Sequence, residues 1–274
     1  MKPRRASLCV ALHSFGLLLS CSGTPTPLHP NLSGSIGAPH QGVQTGAIEL
    51  PKSGTGYRRF RPFGTAYWAQ PELVSGVERV ALKLSQSFPG GPDLVLGDFS
   101  AKRGGRVPRH NSHRSGRDVD LLWFLTTPAG RPLTSPGFLR VGSDGLAYDP
   151  ASRTYLRLDI ERQWAAVKAF LSVPELYVQW MFCSRAIEAM LISYARARGE
   201  PDELVWRAET VLFQPPDSLP HDDHIHLRIN CTPRTSLTGC EGGGPHWEWL
   251  PPLPTLAQLT EQDLLEIGRD DPPP

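Results

Sequence analysis

The sequence predicts an α+β fold, a single domain in which a mainly antiparallel central sheet is flanked by helices. Three observations lead there. Strand-like and helix-like segments are interspersed without regular βαβ units and without a Gly-rich phosphate loop. Residues 223–229 mostly alternate polar and apolar, which is the period of a half-buried strand. Between two Pro-rich ends of the 274-residue chain, 39% hydrophobic overall, lie roughly 200 residues, enough for one domain with a proper core. There is no internal repeat.

Taken in order, Met1–Ser20 reads as a secretory signal. Lys2, Arg4 and Arg5 supply the positive start, and Leu8 to Leu19 is mostly apolar but too short for a permanent span. Its end, Leu18-Leu19-Ser20-Cys21, resembles the lipobox of bacterial lipoproteins. On that reading Cys21 becomes the lipidated first residue and Ser22 suits delivery to an outer membrane. Ordinary cleavage near Cys21, giving a soluble periplasmic protein, is the alternative. Residues 21–50, rich in Gly, Pro, Ser and Thr with few large apolar side chains, read as a flexible tether.

The domain is expected over 51–250. Pro71 to Phe88 carries Leu73, Val74, Val77, Val80, Ala81 and Leu84 at helical spacing, with Pro71 suited to the first turn. Asp93–Asp98 and Asp118–Thr126 read as strands. Asp159 caps a helix bearing Trp164, Val167, Phe170 and Leu171. Leu176–Phe182 is β-rich and aromatic, Ser184 precedes a helix over about 186–198, and the alternating strand at 223–229 completes the set. Residues 251–274 read as a Pro-rich tail with a short helical pattern, Thr255 as cap followed by Leu256, Leu259 and Leu264.

A net charge of +1 carries no basic excess that would suggest nucleic acid as partner. No other segment approaches the length of a membrane span. Cys9 leaves with the signal and Cys21 sits at the cleavage point, so Cys183, Cys231 and Cys240 remain. An odd count in an oxidising compartment implies one bridge and one free thiol. Cys231 and Cys240 enclose a short turn-rich loop and are the expected bridge. Cys183, after Trp180 and Phe182, is expected to be a buried inert thiol.

The chemistry lies in two windows that hold five of the nine histidines. His221-Asp222-Asp223-His224-Ile225-His226 puts His224 and His226 on one strand face, roughly 6.5 Å apart, while Ile225, Leu227 and Ile229 face a core. His110-Asn-Ser-His113 is followed by Asp118-Val119-Asp120, with Gly104, Gly105 and Gly116 giving turn freedom. Six residues separate His113 from Asp120, a spacing that suits a loop carrying the histidine into a strand carrying the carboxylate. Two imidazoles and a carboxylate suit Zn²⁺ with a fourth position left for water, which marks a catalytic site. Such a water has a pKa near about 7 and serves as nucleophile at neutral pH.

These residues carry a resemblance. From Ser35-Ile36-Gly37 through Gly239 the chain resembles the penicillin-insensitive murein endopeptidases, zinc peptidases of bacterial peptidoglycan grouped with lysostaphin-type peptidases, D-alanyl-D-alanine carboxypeptidases and the hedgehog signalling domain. The likeness rests on Gly54-Thr55-Gly56-Tyr57, Val95-Leu96-Gly97-Asp98, Arg103-Gly104-Gly105, His110-x-Ser112-His113, Gly116-x-Asp118-Val119-Asp120 and His221-Asp222-x-His224-x-His226-x-Arg228. It departs at Asp223, where an aromatic is expected, and at Cys183, which lacks a partner.

The resemblance implies a fold like that of the hedgehog and D-Ala-D-Ala peptidase domains. It also implies His113, Asp120 and His226 as ligands of one Zn²⁺, His224 as the catalytic imidazole and His221 as its partner in proton transfer. No Glu stands beside these motifs to act as base, so histidine chemistry is the natural substitute. His110 and Asp118 match positions near the site. Arg228 is expected either to hold a substrate carboxylate or to pair with an acidic neighbour, and Trp247 and Trp249 either to stack on glycan or to cover a core edge. The implied function is zinc-dependent hydrolysis of D-alanyl-diaminopimelate cross-links between peptidoglycan stem peptides, in the periplasm of a Gram-negative bacterium. The alternatives are a peptidoglycan-binding protein without hydrolytic activity and a D,D-carboxypeptidase or dipeptidase.

Overall fold

A seven-stranded sheet carries the molecule. The computed structural model describes residues 33–253 apart from Asp217. Its sheet contains β1 (Ser53–Gly54), β2 (Tyr57–Arg59), β3 (Leu94–Leu96), β4 (Asp118–Leu122), β5 (Val178–Phe182), β6 (Leu212–Phe213) and β7 (His224–Ile229), in the order β6-β5-β7-β4-β3-β2-β1. Neighbours run antiparallel except β5 with β6 and β2 with β3. The α+β class with a mainly antiparallel sheet is therefore what the protein adopts. A second, four-stranded sheet is built from Leu125–Thr126, Pro132–Leu133, Leu146–Asp149 and Thr154–Leu158.

The pleat sorts the two faces of the central sheet. Ile225, Leu227 and Ile229 of β7 and Val119 and Leu121 of β4 are buried in one cluster with the helices. Those helices are α1 (Pro71–Ser87), α2 (Ile160–Leu171), α3 (Arg185–Ala197) and α4 (Asp202–Val211). The apolar stripe expected for α1 is buried as a unit. Asp159 caps α2 by accepting from Arg162 N–H, and Ser184 caps α3 by accepting from Ile187 N–H. The alternate residues, His224, His226 and Arg228 with Asp118 and Asp120, are left for the opposite face.

Three differences from the sequence reading have physical causes. Residues 35–50 lie in the fold, not in a tether: Ser35–Ala38 and Gln41–Gln44 form a hairpin. This segment has little apolar side chain, but its backbone is paired. Gly37 N–H donates to Gly239 O, and Gly42 O and Pro39 O accept from Gly105 and Arg114 N–H. The expected strand 118–126 ends at Leu122, because Phe124 N–H turns to the Gln163 side chain and Trp123 Nε1 to Asp222 O. The helix α4 went unread because it buries only Val205, Ala208 and Val211 and runs into a Val-Leu-Phe stretch.

Cys231 and Cys240 are disulfide-bonded and Cys183 is free and buried, as expected. Burial pushes the Cys183 thiol pKa up. Trp247 stacks on Trp249, its edge meets Trp180 and its Nε1 donates to Gln179 O. The pair thus covers a core edge. Among the described residues no helix is long and apolar enough to cross a membrane. The signal, the Cys21 motif and the helix expected after Thr255 lie outside the described residues.

Candidate metal centre

Strand register assembles the centre. β7 pairs with β4 so that His226 stands opposite Asp120 and Arg228 opposite Asp118. The two windows, about a hundred residues apart in sequence, thereby become cross-strand neighbours. Asp118 and Asp120 are fully buried, as is His113. His113 arrives from the preceding loop with a left-handed backbone (φ 61°), a conformation that L-residues other than Gly rarely adopt. Asp118 Oδ2 holds it there by accepting its backbone N–H at 3.2 Å. Gly116, also left-handed, admits no side chain, since a Cβ would fall 1.8 Å from Gln44 Oε1.

Hydrogen bonds select which imidazole nitrogens are free. His113 Nδ1 donates to Phe99 O at 3.0 Å, which fixes the ring and turns Nε2 toward Asp120. That Nε2 lies 3.2 Å from Asp120 Oδ1. His226 Nε2 donates to Asp118 Oδ1 at 2.8 Å, which leaves its Nδ1 lone pair free. The His113 and His226 rings are 4.6 Å apart. His113 Nε2 and both oxygens of Asp120 are buried with no hydrogen-bond partner. A buried carboxylate facing an imidazole nitrogen at this distance needs a shared cation, either a proton, which despite burial Asp120 favours by raising the His113 pKa, or a metal in its place.

The remaining predicted residues surround this core. His224 Nε2 is 3.2 Å from Asp120 Oδ1, and its Nδ1 donates to Asp223 Oδ1 at 2.5 Å. His110 Nε2 donates to Asp98 Oδ2 at 3.1 Å and lies 3.8 Å from Asp120 Oδ2. The His221 ring lies 5.5 Å from His224 and 5.8 Å from His226, and its buried Nδ1 has no partner. Potential donor atoms fall into two groups, His110 with His113 and Asp120, and His221 with His224 and His226. The trio His113, Asp120 and His226 straddles both. Arg228 pairs with Asp118 at 2.7 Å, so it takes the acidic-neighbour role.

Charge follows this wiring. Burial opposes ionisation of Asp118, yet Arg228 and His226 hold its carboxyl far below the usual range. Asp120 is likewise lowered against burial, by His224 and His113. His224 resists its own desolvation because Asp120 and Asp223 face it, and its pKa rises to about 10. His226 falls to about 3 through burial despite its bond to Asp118, and His221 to about 4 through burial and the neighbouring His224.

Sequence reasoning missed two contributors. Asp98 accepts from His110 and from Arg61 Nη1, at 3.2 and 3.1 Å to its two oxygens. It stood at the end of a predicted strand and in the Val95-Leu96-Gly97-Asp98 stretch of the resemblance, without a role assigned to it. Gly97 lies under the site, where a Cβ would come within 2.8 Å of Asp120 Cβ and of the Phe138 ring.

The donor set tests well for a metal: an imidazole Nε2 and a carboxylate that are both buried without a hydrogen-bond partner, and a second imidazole whose other nitrogen is fixed by Asp118. An α+β domain with such a His/Asp cluster on one sheet face belongs to the class of proteins with a candidate catalytic metal centre. The comparison with known proteins is more specific. The profile of the family described as Penicillin-insensitive murein endopeptidase matches residues 35–138, a stretch that starts before the expected domain boundary and contains His110, His113, Asp118 and Asp120. Two relatives named penicillin-insensitive murein endopeptidase are each 30% identical. One, from Klebsiella pneumoniae (strain 342), aligns over 77% of this chain and 70% of its own length. The other, from Escherichia coli O139:H28, aligns over 77% and 71%. The chain belongs to this peptidase family.

Proposed function

We propose that the protein is a zinc-dependent D,D-endopeptidase that hydrolyses D-alanyl-diaminopimelate cross-links in peptidoglycan, working in the periplasm of a Gram-negative bacterium. The observation that carries the zinc reading is the buried, unpartnered set of His113 Nε2 and both Asp120 oxygens. His113, Asp120 and His226 would hold the ion. When bound there, zinc supplies Lewis acidity toward the scissile carbonyl and an acidified water at neutral pH.

The chain's own groups do the rest. Asp118 fixes the His226 ring through Nε2 and the His113 backbone through its N–H. His224, anchored by Asp223, presents Nε2 beside Asp120, where it orients the attacking water and faces the developing negative oxygen. His221, with a free Nδ1 close to His224, relays the proton to the leaving amine. No serine participates, so β-lactams should not acylate it. A lipid on Cys21 would tie the protein to the outer membrane, and Cys21→Ala would release it from the membrane fraction.

The test is mass spectrometry of muropeptides from purified sacculi treated with the protein, beside His226→Ala and a chelated sample. Loss of cross-linked dimers with gain of monomers, in the zinc-loaded protein alone, is the expected result. Activity that survives exhaustive chelation would refute the zinc assignment. Shortened stem peptides from uncross-linked material would redirect the reading to a carboxypeptidase.

A further inference from the structure

Beside His110 the surface opens into a cavity of about 440 Å³ lined by Arg106, Arg109, His110, Asn111 and Arg114. Three arginines thus line one opening, Arg106 and Arg109 exposed and Arg114 half-buried. Among the described residues Arg106 and Arg114 have no side-chain partner, and the Nε of Arg114 is buried without one. Arg109 reaches an acid only at 3.9 Å, where Asp98 is already engaged by Arg61 and His110. Arg109 also holds a left-handed backbone (φ 70°), a costly conformation that sets the direction of its side chain within the loop.

The placement is specific to the site. His110 lies between the cavity and the centre, its ring 4.2 Å from that of His113. The loop is braced from outside by Pro39 O, which accepts from Arg114 N–H, and by Gly42 O and Arg114 O, which both accept from Gly105 N–H. A braced loop backbone keeps the arginines at one place beside the site, with Asp98 as the one acid that Arg109 reaches. Like charges on one short loop repel, and the repulsion is relieved when an anion binds among them. The planar forks of arginine match a carboxylate bidentately.

We infer that Arg106, Arg109 and Arg114 form a carboxylate-binding subsite that seats a free carboxylate of the peptide next to the scissile bond. This rests on the peptidase reading, because the peptide must reach the cavity from the centre behind His110. Next to the cross-link amide a murein stem peptide offers two sources of that chemistry, the carboxylate of diaminopimelate and that of a terminal D-alanine. Either would be oriented by the arginines while the neighbouring amide lies at Asp120, which makes the subsite a determinant of which peptides are accepted.

The experiment is calorimetric titration of the zinc-loaded protein with a stem tetrapeptide ending in D-alanine. Two comparison peptides are amidated, one at the D-alanine terminus and one at diaminopimelate. One of the amides should bind at least about tenfold more weakly, as expected for loss of a charge-assisted contact, and the amide that does so identifies the occupant. Arg109→Gln/Arg114→Gln should bind all three peptides alike, and Arg114→Lys should retain part of the preference. Equal affinities in the wild type, or an undiminished preference in a doubly substituted protein of unchanged melting temperature, would overturn the subsite. Cleavage of cross-linked dimers is scored separately. A protein that discriminates the peptides but cleaves no dimer keeps the subsite and loses the endopeptidase reading. One that cleaves dimers without discriminating does the reverse.

Discussion

Asp118→Asn should damage the protein more than any other single-atom exchange near the centre. All three groups that Asp118 accepts from are donors: His226 Nε2 at 2.8 Å, Arg228 Nε at 2.7 Å and His113 N at 3.2 Å. An amide has one oxygen and one NH₂, so in either orientation its NH₂ meets a donor. Arg228 also loses its counter-charge although its side chain is only 12% exposed. Breaking one side of a buried pair costs about 3–5 kcal/mol, and at about 2–4 °C per kcal/mol for a domain of this size the melting temperature should fall by roughly 6–20 °C. If His226 escapes the clash by moving its proton to Nδ1, the nitrogen left for a metal is blocked. Zinc affinity should then drop about 10–100-fold, as for other residues that orient ligands. Differential scanning calorimetry with and without zinc, followed by zinc titration, reads both effects. Adding Arg228→Met to Asp118→Asn should recover part of the stability but not the zinc affinity. A single variant that melts within about 2 °C of wild type and binds zinc within about threefold would refute the reasoning.

Gly97→Ala should separate metal affinity from folding. Its Cβ would press Asp120 and Phe138 at 2.8 Å, so zinc affinity measured by titration should fall at least about tenfold while the melting temperature falls by only a few degrees. Stability should also depend on pH through Glu72. Although burial opposes its charge, the Arg234 guanidinium, with contacts of 2.8 and 2.9 Å, lowers its pKa. A depressed carboxyl stabilises above its unfolded value of about 4.3, and that contribution is lost as pH falls through the folded value. The gap in urea midpoint between wild type and Glu72→Gln should therefore be widest at pH 7 and shrink below about pH 4, and a gap independent of pH would contradict this assignment. Replacing Cys231 and Cys240 together by Ser should cost roughly 2–3 kcal/mol for the loop they close, measured by urea unfolding. Cys183 should stay unmodified by a thiol reagent in native protein and react only on unfolding.

How much was legible follows from where each signal lives. Periodicity is local, so the stripe of α1 and the alternation of β7 were readable, as were the Asp159 and Ser184 caps. The clustering of histidines announced the centre, but not that Asp118 would hold His226, His113 and Arg228 at once. That wiring depends on register between strands about a hundred residues apart, which no local pattern encodes. The hairpin at 35–44 was hidden for a different reason. Its stability comes from backbone pairing to the 101–116 loop and to the disulfide loop, with Ile36 as its one large apolar anchor. A segment held by partners elsewhere reads as a linker when only its own composition is visible.

The charge pattern of the centre explains why these carboxylates behave differently although they lie so close together. Asp118 has Arg228 and Asp98 has Arg61, each a permanent cation within hydrogen-bonding distance. Asp223 lies on the rim and is bonded to His224. Asp120 is fully buried and faces three imidazoles, at 3.2 Å from His113 and His224 and 3.8 Å from His110, with no arginine beside it and neither oxygen hydrogen-bonded. An arginine there would neutralise the carboxylate and close the position to any other cation. Imidazoles can give up the proton that an arginine keeps, and once neutral they ligate, so the desolvated carboxylate stays open to another cation. The same logic accounts for the neighbouring arginines: with Asp98 and Asp118 already matched, Arg106 and Arg114 are surplus positive charge. A carboxylate with the surroundings of a candidate metal centre thus adjoins a loop with unpaired arginines, with His110 between them. A peptide that offers a carbonyl to the first and a carboxylate to the second would satisfy both at once.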